Sequence, residues 1–503
     1  MLSAGAVALL ASFGSAAPTV AQTRLPTTPK GWRKAAAEDL VAIHDILRDN
    51  SPAMVVDRDS ASFRTWLEKG LKEARAGVPK VTDSRGYYFI LRGYVGGFRD
   101  SHIGFAPTGW SINLHGLWPG FVLGLRDGRY EVVFRGANVK DVPPVGARLL
   151  SCDGQSVAQL VAARDRYDGN FALASGRFYG APRLLSDMGN PFVTPPKSCK
   201  FGGRGGEQRF ALVWRAPDKA VKVGSQEALA EMSPHSSKLA IEPWAGRGWW
   251  ISVPSMTADQ DWNGFYAQKK ARLPELREAP VVVIDVRGNG GGDSAFGDRL
   301  IRLLWGDAMV DARKPDLGPI VWRVSRLNRD NWAEETADAV KDKELSAEDK
   351  SEMRRILARY DSALAEGDPT FELEGGQPSK LAQSGPDLVR GRVVVLTDHA
   401  CVSACLDLMD EIMALPHVVQ AGTTTSADTI FMDLTIVPKL PSGLISFGFG
   451  RKAWIRRPRG SNVPYVPAKR YTWTGPPPDE RAWLAEELFE PAGAARAKAP
   501  APA

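Results

Sequence analysis

The sequence predicts a multidomain α/β protein with a helical N-terminal domain, a β-rich module and an α/β core. Three observations favour this fold class. Apolar residues recur at helical spacing within 31–105, short strands punctuated by Gly and Pro occupy 111–214, and strands alternate with helices over 239–473. The 503 residues suffice for two to four domains of roughly 100–200 residues each. We predict the domain bounds 28–108, 112–215 and 216–478.

The composition is that of an ordinary soluble globular protein. Hydrophobic residues make up 44% and charged residues 24%, and the formal net charge is +6. No nucleic-acid-binding signature is present, so no nucleic acid partner is expected. No metal-ligand spacing such as CxxC or HExxH occurs, so neither a metal nor another cofactor is expected. Basic residues cluster between positions 451 and 459. This basic group predicts either a solvated strand or an anchor for a carboxylate, and its members are Arg451, Lys452, Arg456, Arg457 and Arg459.

Both ends of the chain have a distinct composition. Residues 1–21 are uncharged and apolar, are too short for a membrane-spanning helix and end in small residues, so they resemble a secretory signal peptide. Ala21 before Gln22, with Thr19 two positions earlier, fits the cleavage rule, although the usual basic opening is missing. We therefore expect a periplasmic or secreted protein without stable membrane insertion. Residues 490–503 are of low complexity and predict a disordered tail.

The helical domain and the β-rich module follow from local patterns. The segments EDLVAIHDILRDN, SFRTWLEKGLKEARAG and GYYFILRGYVGGF each predict a helix. FVLGLRDGRYEVVF predicts a hairpin that turns at Asp127-Gly128. VGARLLSCDGQSVAQLVAAR predicts a strand, a turn at Asp153-Gly154 and a helix.

The core contains four candidate strands, WWISVPSM, VVVIDVRG, RVVVLTD and HVVQAGTTT. Helices follow the second and third of them, which indicates crossover connections and a largely parallel, buried sheet. Residues 306–390 interrupt this pattern with polar helical sequence, including SAEDKSEMRRILARYDSALAEG. This part is predicted to be a helical surface insertion.

A glycine-rich turn follows the second core strand. Val281 to Ile284 form a buried strand, and the turn RGNGGGD leads directly into an amphipathic helix. Glycines leave backbone amides unshielded, and a strand–turn–helix junction can hold an anion, either a phosphate or the oxyanion of acyl transfer. The turn matches neither GxGxxG nor GxxxxGK[ST]. A merely tight turn is the alternative.

A serine lies at the corresponding junction after the third core strand. In RVVVLTDHACVSACLDLMDEIM, Ser403 precedes a helix whose apolar face repeats at i, i+3, i+4 and i+7. A serine in this position is either an exposed nucleophile or a helix N-cap.

Together, VVVIDVRGNGGG, VVVLTDHACVSACLDLMDEIM and VVQAGTTT resemble the S41 peptidases, which include C-terminal processing and tricorn-type proteases. The resemblance implies a crotonase-like core of the ClpP/crotonase type and a PDZ-like module at 112–215. It also implies Ser403 as nucleophile. The amide of Ala404 and that of Gly290 or Gly291 would form the oxyanion hole.

The resemblance also indicates the general base. Ser–Lys processing proteases carry a lysine where this chain has Asp428, which disfavours that branch. The tricorn-like branch takes a histidine from a [DG][SG]H turn, and GGFRDSHIGF supplies His102. A histidine suits proton transfer near neutral pH. A loop histidine without catalytic role, or His399 as the base, are the alternatives.

The third catalytic member is open at the sequence level. The glutamate of tricorn-like relatives falls at Ser461, beside Asn462, and neither side chain carries a charge. Asp428 is a candidate for a displaced acid. The remaining histidines lack motif support and are expected to be structural: His44, His115, His235 and His417.

Four cysteines are too few for a disulfide scaffold. Cys152 and Cys199 could pair in an oxidising compartment. Cys401 and Cys405 flank Ser403, and three readings are open: packing residues, a disulfide that fixes the turn, or a redox switch.

The sequence therefore predicts an exported serine peptidase that acts through an acyl-enzyme on peptide or protein substrates, with C-terminal tails as one candidate class. A catalytically weak or inactive ligand-binding protein and an esterase on the same machinery are the alternatives. The oligomeric state is not predicted.

Overall fold

The computed structural model describes residues 24–470, except 115, 234, 245, 247, 342–344, 346 and 375–384, and also residues 481 and 484. The predicted signal peptide, the predicted tail and His115 lie outside the described residues. The described residues form three sheets and 13 α-helices. The predicted α/β multidomain class is confirmed. None of the helices described here is long and apolar enough to span a bilayer.

Three helices open the described chain, and all three segments predicted to be helical are confirmed. Local capping explains where two of them begin. The Thr28 hydroxyl accepts the Gly31 N–H at 3.2 Å, and the Asp83 carboxylate accepts the N–H groups of Arg85 and Gly86 at 3.0 and 2.9 Å. The elements are α1 Pro29–Asn50, α2 Ala61–Gly77, α3 Ser84–Gly96 and β1 Gly104–Pro107, with 3₁₀ turns at Pro52–Met54 and Val78–Lys80.

The β-rich module is an antiparallel sheet in the order β2-β3-β4-β6-β7, with β5 paired to β4. Its elements are β2 Phe121–Arg126, β3 Arg129–Arg135, β4 Arg148–Cys152, β5 Gln155–Ser156, α4 Val157–Asp168, α5 Ala174–Leu184, β6 Ser198–Gly203 and β7 Gly206–Ala211, followed by α6 Lys219–Ala230. The predicted hairpin is confirmed, with φ of 48° at Asp127 and 74° at Gly128. A disulfide joins Cys152 to Cys199, which face each other on β4 and β6.

The remaining chain forms the α/β core. Its first elements are β8 Ala240–Trp244, β9 Gly248–Ser252, α7 Trp262–Ala271, α8 Leu273–Glu278, β10 Val281–Asp285, α9 Ser294–Trp305, α10 Asp307–Arg313, β11 Pro319–Arg323, α11 Arg326–Lys341, α12 Ala347–Glu366 and β12 Thr370–Glu374. The later elements are β13 Arg392–Thr397, α13 Ala404–Ile412, β14 Val418–Gly422, β15 Phe431–Val437, β16 Ile445–Trp454 and β17 Lys469–Arg470.

The central sheet has the order β17-β14-β13-β10-β9-β8. The pairs among β9, β10, β13, β14 and β17 are parallel, and only the edge strand β8 is antiparallel. Every residue of β10 is buried, because helices cover this continuous apolar run. The four predicted core strands are confirmed, and their carboxyl ends lie at one edge.

The third sheet has the order β1-β16-β11-β12, with β15 also paired to β16. The N-terminal helices pack against it in one shared hydrophobic core that includes Leu40, Tyr87, Phe447 and Phe449. The 306–390 insertion contains the predicted helices, but it also contributes the strands β11 and β12. The reason is aromatic burial: Trp322 and Phe371 stack at 5.9 Å, and Tyr360 of α12 packs on both.

Candidate active site

The glycine-rich turn and the serine turn lie side by side. They follow β10 and β13, which are parallel neighbours, so both turns leave the sheet at the same edge. The Val286 N–H donates to the Leu396 carbonyl at 3.0 Å, and the Gly288 N–H donates to both carboxylate oxygens of Asp398 at 3.1 Å. Strand register and this turn-to-turn hydrogen bond fix the two motifs relative to each other.

Ser403 has a strained backbone at the start of α13. Its φ is 58° and its ψ is −128°, a conformation that non-glycine residues rarely adopt. Ser403 occupies the N-cap position, yet its side chain makes no capping hydrogen bond. Its hydroxyl makes no hydrogen bond within the described chain and retains some exposed surface, although the residue is only 8% exposed. This geometry differs from that of a usual capping serine, which has a β-region backbone and a side chain that accepts a helix N–H.

Gly291 presses against this serine turn. A methyl group at Gly291 would lie 2.8 Å from the Val402 carbonyl oxygen, 2.9 Å from Ser403 Cβ and 3.0 Å from the Ala404 nitrogen. The residue also has a φ of 93°. Glycine is therefore needed here for the close approach as well as for the backbone conformation.

Among the amides at this contact, those of Gly290 and Ala404 have no hydrogen-bond partner in the described part of the chain. The Gly291 N–H, in contrast, donates to the Asn289 side-chain oxygen at 2.9 Å. Asn289 is fully buried, and its own amide donates to the Val253 carbonyl at 2.9 Å. Of the two glycines proposed for an oxyanion hole, Gly290 is thus the one whose amide is available.

His102 lies in the turn between α3 and β1, beside an acidic residue. Its Nδ1 atom is 3.5 Å from Asp100 Oδ1, and both side chains are almost completely buried. Nδ1 is sealed from solvent, whereas Nε2 retains exposed surface. Burial lowers the pKa of His102, but the Asp100 and Asp428 carboxylates together raise it more, so the pKa lies above the ordinary histidine value.

Asp100 is held in place from two sides. Its Oδ1 accepts the His102 backbone N–H at 2.8 Å, and its Oδ2 accepts the Thr429 hydroxyl at 2.9 Å. The sequence reasoning missed Asp100 as a possible third member. The signal was present in the motif DSH itself, two residues before the histidine.

One short segment joins the histidine turn to the serine turn. At its start the Ser426 N–H donates to the Cys401 carbonyl at 3.0 Å, and at its end the Thr429 side chain binds Asp100. Ser426 and Thr429 are three positions apart, and an extended chain spans at most about 11 Å over three residues. The structure brings the two turns together in this way, although no hydrogen bond joins Ser403 to the His102 ring within the described chain.

The other predicted third members have partners elsewhere. Asp428 is fully buried between Arg457 and Arg459, at 2.8 and 2.6 Å. Burial raises its pKa, but the Arg459 and Arg457 guanidinium charges lower it, and the resulting pKa lies below the ordinary aspartate value. Ser461 Oγ accepts the Ile430 N–H at 3.1 Å, and Asn462 Nδ2 donates to the carbonyl of the residue before Asp100 at 3.0 Å. None of the three hydrogen-bonds the His102 ring.

The basic group of the sequence is divided between the core and the surface. Arg451 is 1% exposed and pairs with Glu335 and Asp433 at 2.7 and 3.2 Å. Arg459 pairs with Asp410 as well as with Asp428, whereas Arg456 lies at the surface. The group is therefore mainly an internal anchor for carboxylates of the chain itself, not a solvated strand.

The other histidines within the described residues have local partners. His399 packs on Phe178 with ring centroids 4.9 Å apart, and burial lowers its pKa. His44 binds Asp45 and Glu68, His235 binds the Ser233 carbonyl, and His417 binds Asp387. No group of three or more His, Cys, Asp or Glu side chains that could hold a metal ion occurs in the described chain.

A disulfide and a cavity complete the surroundings of the turns. Cys401 and Cys405 form a disulfide that encloses Ser403. A cavity lies where the module meets the core, lined by Leu125 and Phe178 of the module and by Arg287, Asp398 and His399 of the core. Such a boundary between domains is a common place for a ligand.

Comparison with solved structures identifies the fold. The chain is similar to mature CPAF with a TM-score of 0.55 and 15% identity, over 88% of this chain and 93% of that one. A complex of mature CPAF with lactacystin gives the same TM-score and identity over 88% and 94%. A serine-to-alanine mutant of CPAF gives a TM-score of 0.57 and 14% identity over 91% and 96%.

The chain has an S41-like peptidase fold. This confirms the fold that the sequence motifs predicted, and at these identities the likeness shows the fold alone. No model of a known protein family matches the sequence, and no curated protein matches it either. The crotonase-like and PDZ-like assignments, the domain bounds and the roles of the site residues stay predictions.

Proposed function

We propose that this chain is an exported serine peptidase that hydrolyses peptide bonds through an acyl-enzyme on Ser403. The observation that carries the proposal is the uncapped, strained Ser403 pressed against a glycine turn that has an unpaired amide. A serine whose only role is to begin a helix needs neither a positive φ nor an unshielded neighbour.

In the proposed first step, Ser403 Oγ attacks the scissile carbonyl carbon while His102 Nε2 takes the hydroxyl proton. His102 then returns this proton to the leaving amine, and a water molecule hydrolyses the acyl-enzyme by the same route. Asp100 faces Nδ1 and favours the imidazolium that forms, which is the role of the acid in a triad. Substrate binding must close the distance between Ser403 and His102, as catalytic hydrogen bonds often tighten only in the complex.

The developing negative charge on the carbonyl oxygen would be stabilised by the amides of Ala404 and Gly290. Each preorganised donor of this kind contributes roughly 3–4 kcal/mol to transition-state stabilisation in comparable hydrolases. Gly291 supports this arrangement indirectly, because its missing side chain lets the two turns approach each other.

Two further parts of the proposal concern substrate and compartment. The β-rich module would recruit an extended peptide, including C-terminal tails, by adding it to a free sheet edge near the cavity at the core. The two disulfides among the described residues support export, because disulfides persist mainly in oxidising compartments. Cleavage of a peptide with a free carboxyl terminus, compared with its C-terminal amide, tests the tail preference.

Two other functions share this fold. An esterase would use the same residues, and side-by-side turnover of ester and peptide substrates separates it from a peptidase. The alternative of a ligand-binding protein without activity rests on the missing lysine at Asp428 and on the uncharged Ser461 and Asn462 in place of a third acid. The Asp100–His102 pair weakens that alternative, because it supplies an acid locally.

The test is covalent labelling by a fluorophosphonate probe of the wild type, Ser403→Ala and His102→Ala, followed by peptide turnover. We expect labelling of the wild type only, and labelling of Ser403→Ala at the wild-type rate would exclude this nucleophile. Ser461→Ala is the matched control, because it removes a hydroxyl that lies in the same domain but is bonded elsewhere. It should label as the wild type does.

A further inference from the structure

The disulfide between Cys401 and Cys405 encloses Ser403. The two cysteines are four positions apart, and both are fully buried. The bridge thus ties the residue two positions before the serine to the second residue of α13. It is the covalent contact that spans Ser403, alongside the hydrogen bond from the Cys405 N–H to the Val402 carbonyl.

The other restraints on the backbone at this point are non-covalent: the Ser403 carbonyl accepts the Leu406 and Asp407 N–H groups at 2.7 and 3.1 Å. The Ser403 side chain does not cap α13, although a capping hydrogen bond usually secures a helix start. The Cys401 and Cys405 N–H groups donate to the Asp398 and Val402 carbonyls at 3.3 Å each, which is long for such bonds. A positive φ persists in a non-glycine residue only where its surroundings impose it. The disulfide is the strongest such restraint here.

Reduction of the bridge would leave the core around it filled. Each sulfur lies in the hydrophobic core cluster that contains Met256, Ala404 and Leu408. A buried thiol packs as a small hydrophobic group, so the core stays filled after reduction. The loop that the bridge closes is also short. Its loss therefore returns less conformational entropy to the unfolded chain, and lowers the stability less, than loss of the bridge between Cys152 and Cys199, which are 47 positions apart.

We propose that the Cys401–Cys405 disulfide holds Ser403 in its reactive conformation and that its reduction switches the nucleophile off. The reductant is a dithiol. Its thiolate attacks one sulfur to give a mixed disulfide, and its second thiol closes the reductant's own ring. Cys401 and Cys405 end as two thiols, and the dithiol ends as a cyclic disulfide. The inference rests on Ser403 as the proposed nucleophile.

The experiment uses the full chain in oxidised and dithiol-treated form, with the thiol count verified by alkylation and mass spectrometry. Two quantities are measured, the rate of Ser403 labelling by the fluorophosphonate and the hydrogen exchange of amides 402–407. The variants are Cys401→Ala/Cys405→Ala and, as the matched control, Cys152→Ala/Cys199→Ala, which removes the bridge in the module.

We expect reduction of the wild type to speed exchange at 402–407 and to slow labelling at least tenfold. The 401/405 variant should behave in this way without reductant and should not respond to it, whereas the 152/199 variant should respond like the wild type. Unchanged hydrogen exchange of amides 402–407 with both thiols free overturns the proposal. Faster exchange with Ser403 labelling at the rate of the oxidised protein also overturns it. If the oxidised wild type is not labelled at all, the nucleophile assignment fails, and exchange alone decides whether the bridge holds the turn. Should the 401/405 variant not fold, the reduced wild type decides.

Discussion

Replacing Gly291 by alanine tests the contact on which the proposed site depends. The added methyl group would meet three atoms of the serine turn at 2.8 to 3.0 Å, two of them backbone atoms that cannot rotate away. It would also impose a Cβ on a residue with a φ of 93°. The substitution therefore acts on Ser403 and Ala404 without removing any functional group.

The size of the effect follows from these distances. A non-glycine residue in a sparsely populated backbone region costs about 1–3 kcal/mol. An extra methyl group in a packed site typically costs about 1–3 kcal/mol more. We expect a loss of about 2–6 kcal/mol in the free energy of unfolding. Relief of the contact requires the serine turn to move by roughly 0.5 Å, and since 1 Å can cost about 100-fold in rate, labelling should slow at least about tenfold.

Two glycines provide matched controls, and both effects are measured by chemical denaturation and by fluorophosphonate labelling. A methyl group at Gly367 meets no atom within 4 Å although its φ is 79°, so Gly367→Ala isolates the backbone cost. Gly290 lies one residue away, has no positive φ and also has open space, and its alanine variant keeps the amide. Wild-type labelling by a folded Gly291→Ala would refute the reasoning, as would equal losses in the Gly290 and Gly291 variants.

Three further predictions concern carboxylates. Asp100→Asn should slow peptide turnover by at least about 100-fold, and it should move the acid limb of the pH–rate profile to lower pH, because the carboxylate raises the His102 pKa. An unmoved acid limb would show that Asp100 has only a structural role. Asp428→Asn should lower the free energy of unfolding by about 3–5 kcal/mol, since two buried arginines lose their partner, whereas the exposed ion pair of Asp316 should contribute at most about 1 kcal/mol. Equal losses in Asp428→Asn and Asp316→Asn would contradict this. Burial and the Asp428 charge raise the pKa of Asp407 to about 6, so the native state should lose stability as the pH rises from about 4 to about 6. Asp407→Asn should therefore raise the melting temperature at pH 7 relative to wild type but not at pH 4, and a gain of the same size at both values would exclude this cause.

The central sheet and both turns could be predicted because their determinants are local. Val281–Ile284 is a continuous apolar run that only a buried strand accommodates, and the glycines after it interrupt every regular element. Ser403 stands directly before an amphipathic repeat. Each of these signals lies within about ten residues of the feature it predicts, as is usual for strand and helix patterns.

The features that escaped prediction depend on contacts between distant segments. Pro319–Arg323 is a strand because β16 pairs with it, more than a hundred positions later, and nothing in its polar surroundings indicates that partner. The state of Cys401 and Cys405 depends on whether the helix start brings the sulfurs together, which spacing alone leaves open. Asp100 was overlooked because the motif comparison placed the acid far downstream in the chain.

The surroundings of Asp428 disfavour a lysine at this position. The position that carries a lysine in Ser–Lys relatives lies between two buried arginines, and a third cation there would have no carboxylate to neutralise it. Arg459 also depends on Asp410, which in turn accepts the Tyr465 hydroxyl at 2.6 Å. A single substitution to lysine therefore could not restore a Ser–Lys base, since the whole network would have to change with it. Thr429, the residue after Asp428, donates its hydroxyl to Asp100, which lies beside His102. The residues that disfavour a lysine are therefore adjacent in sequence to one that positions the surroundings of His102.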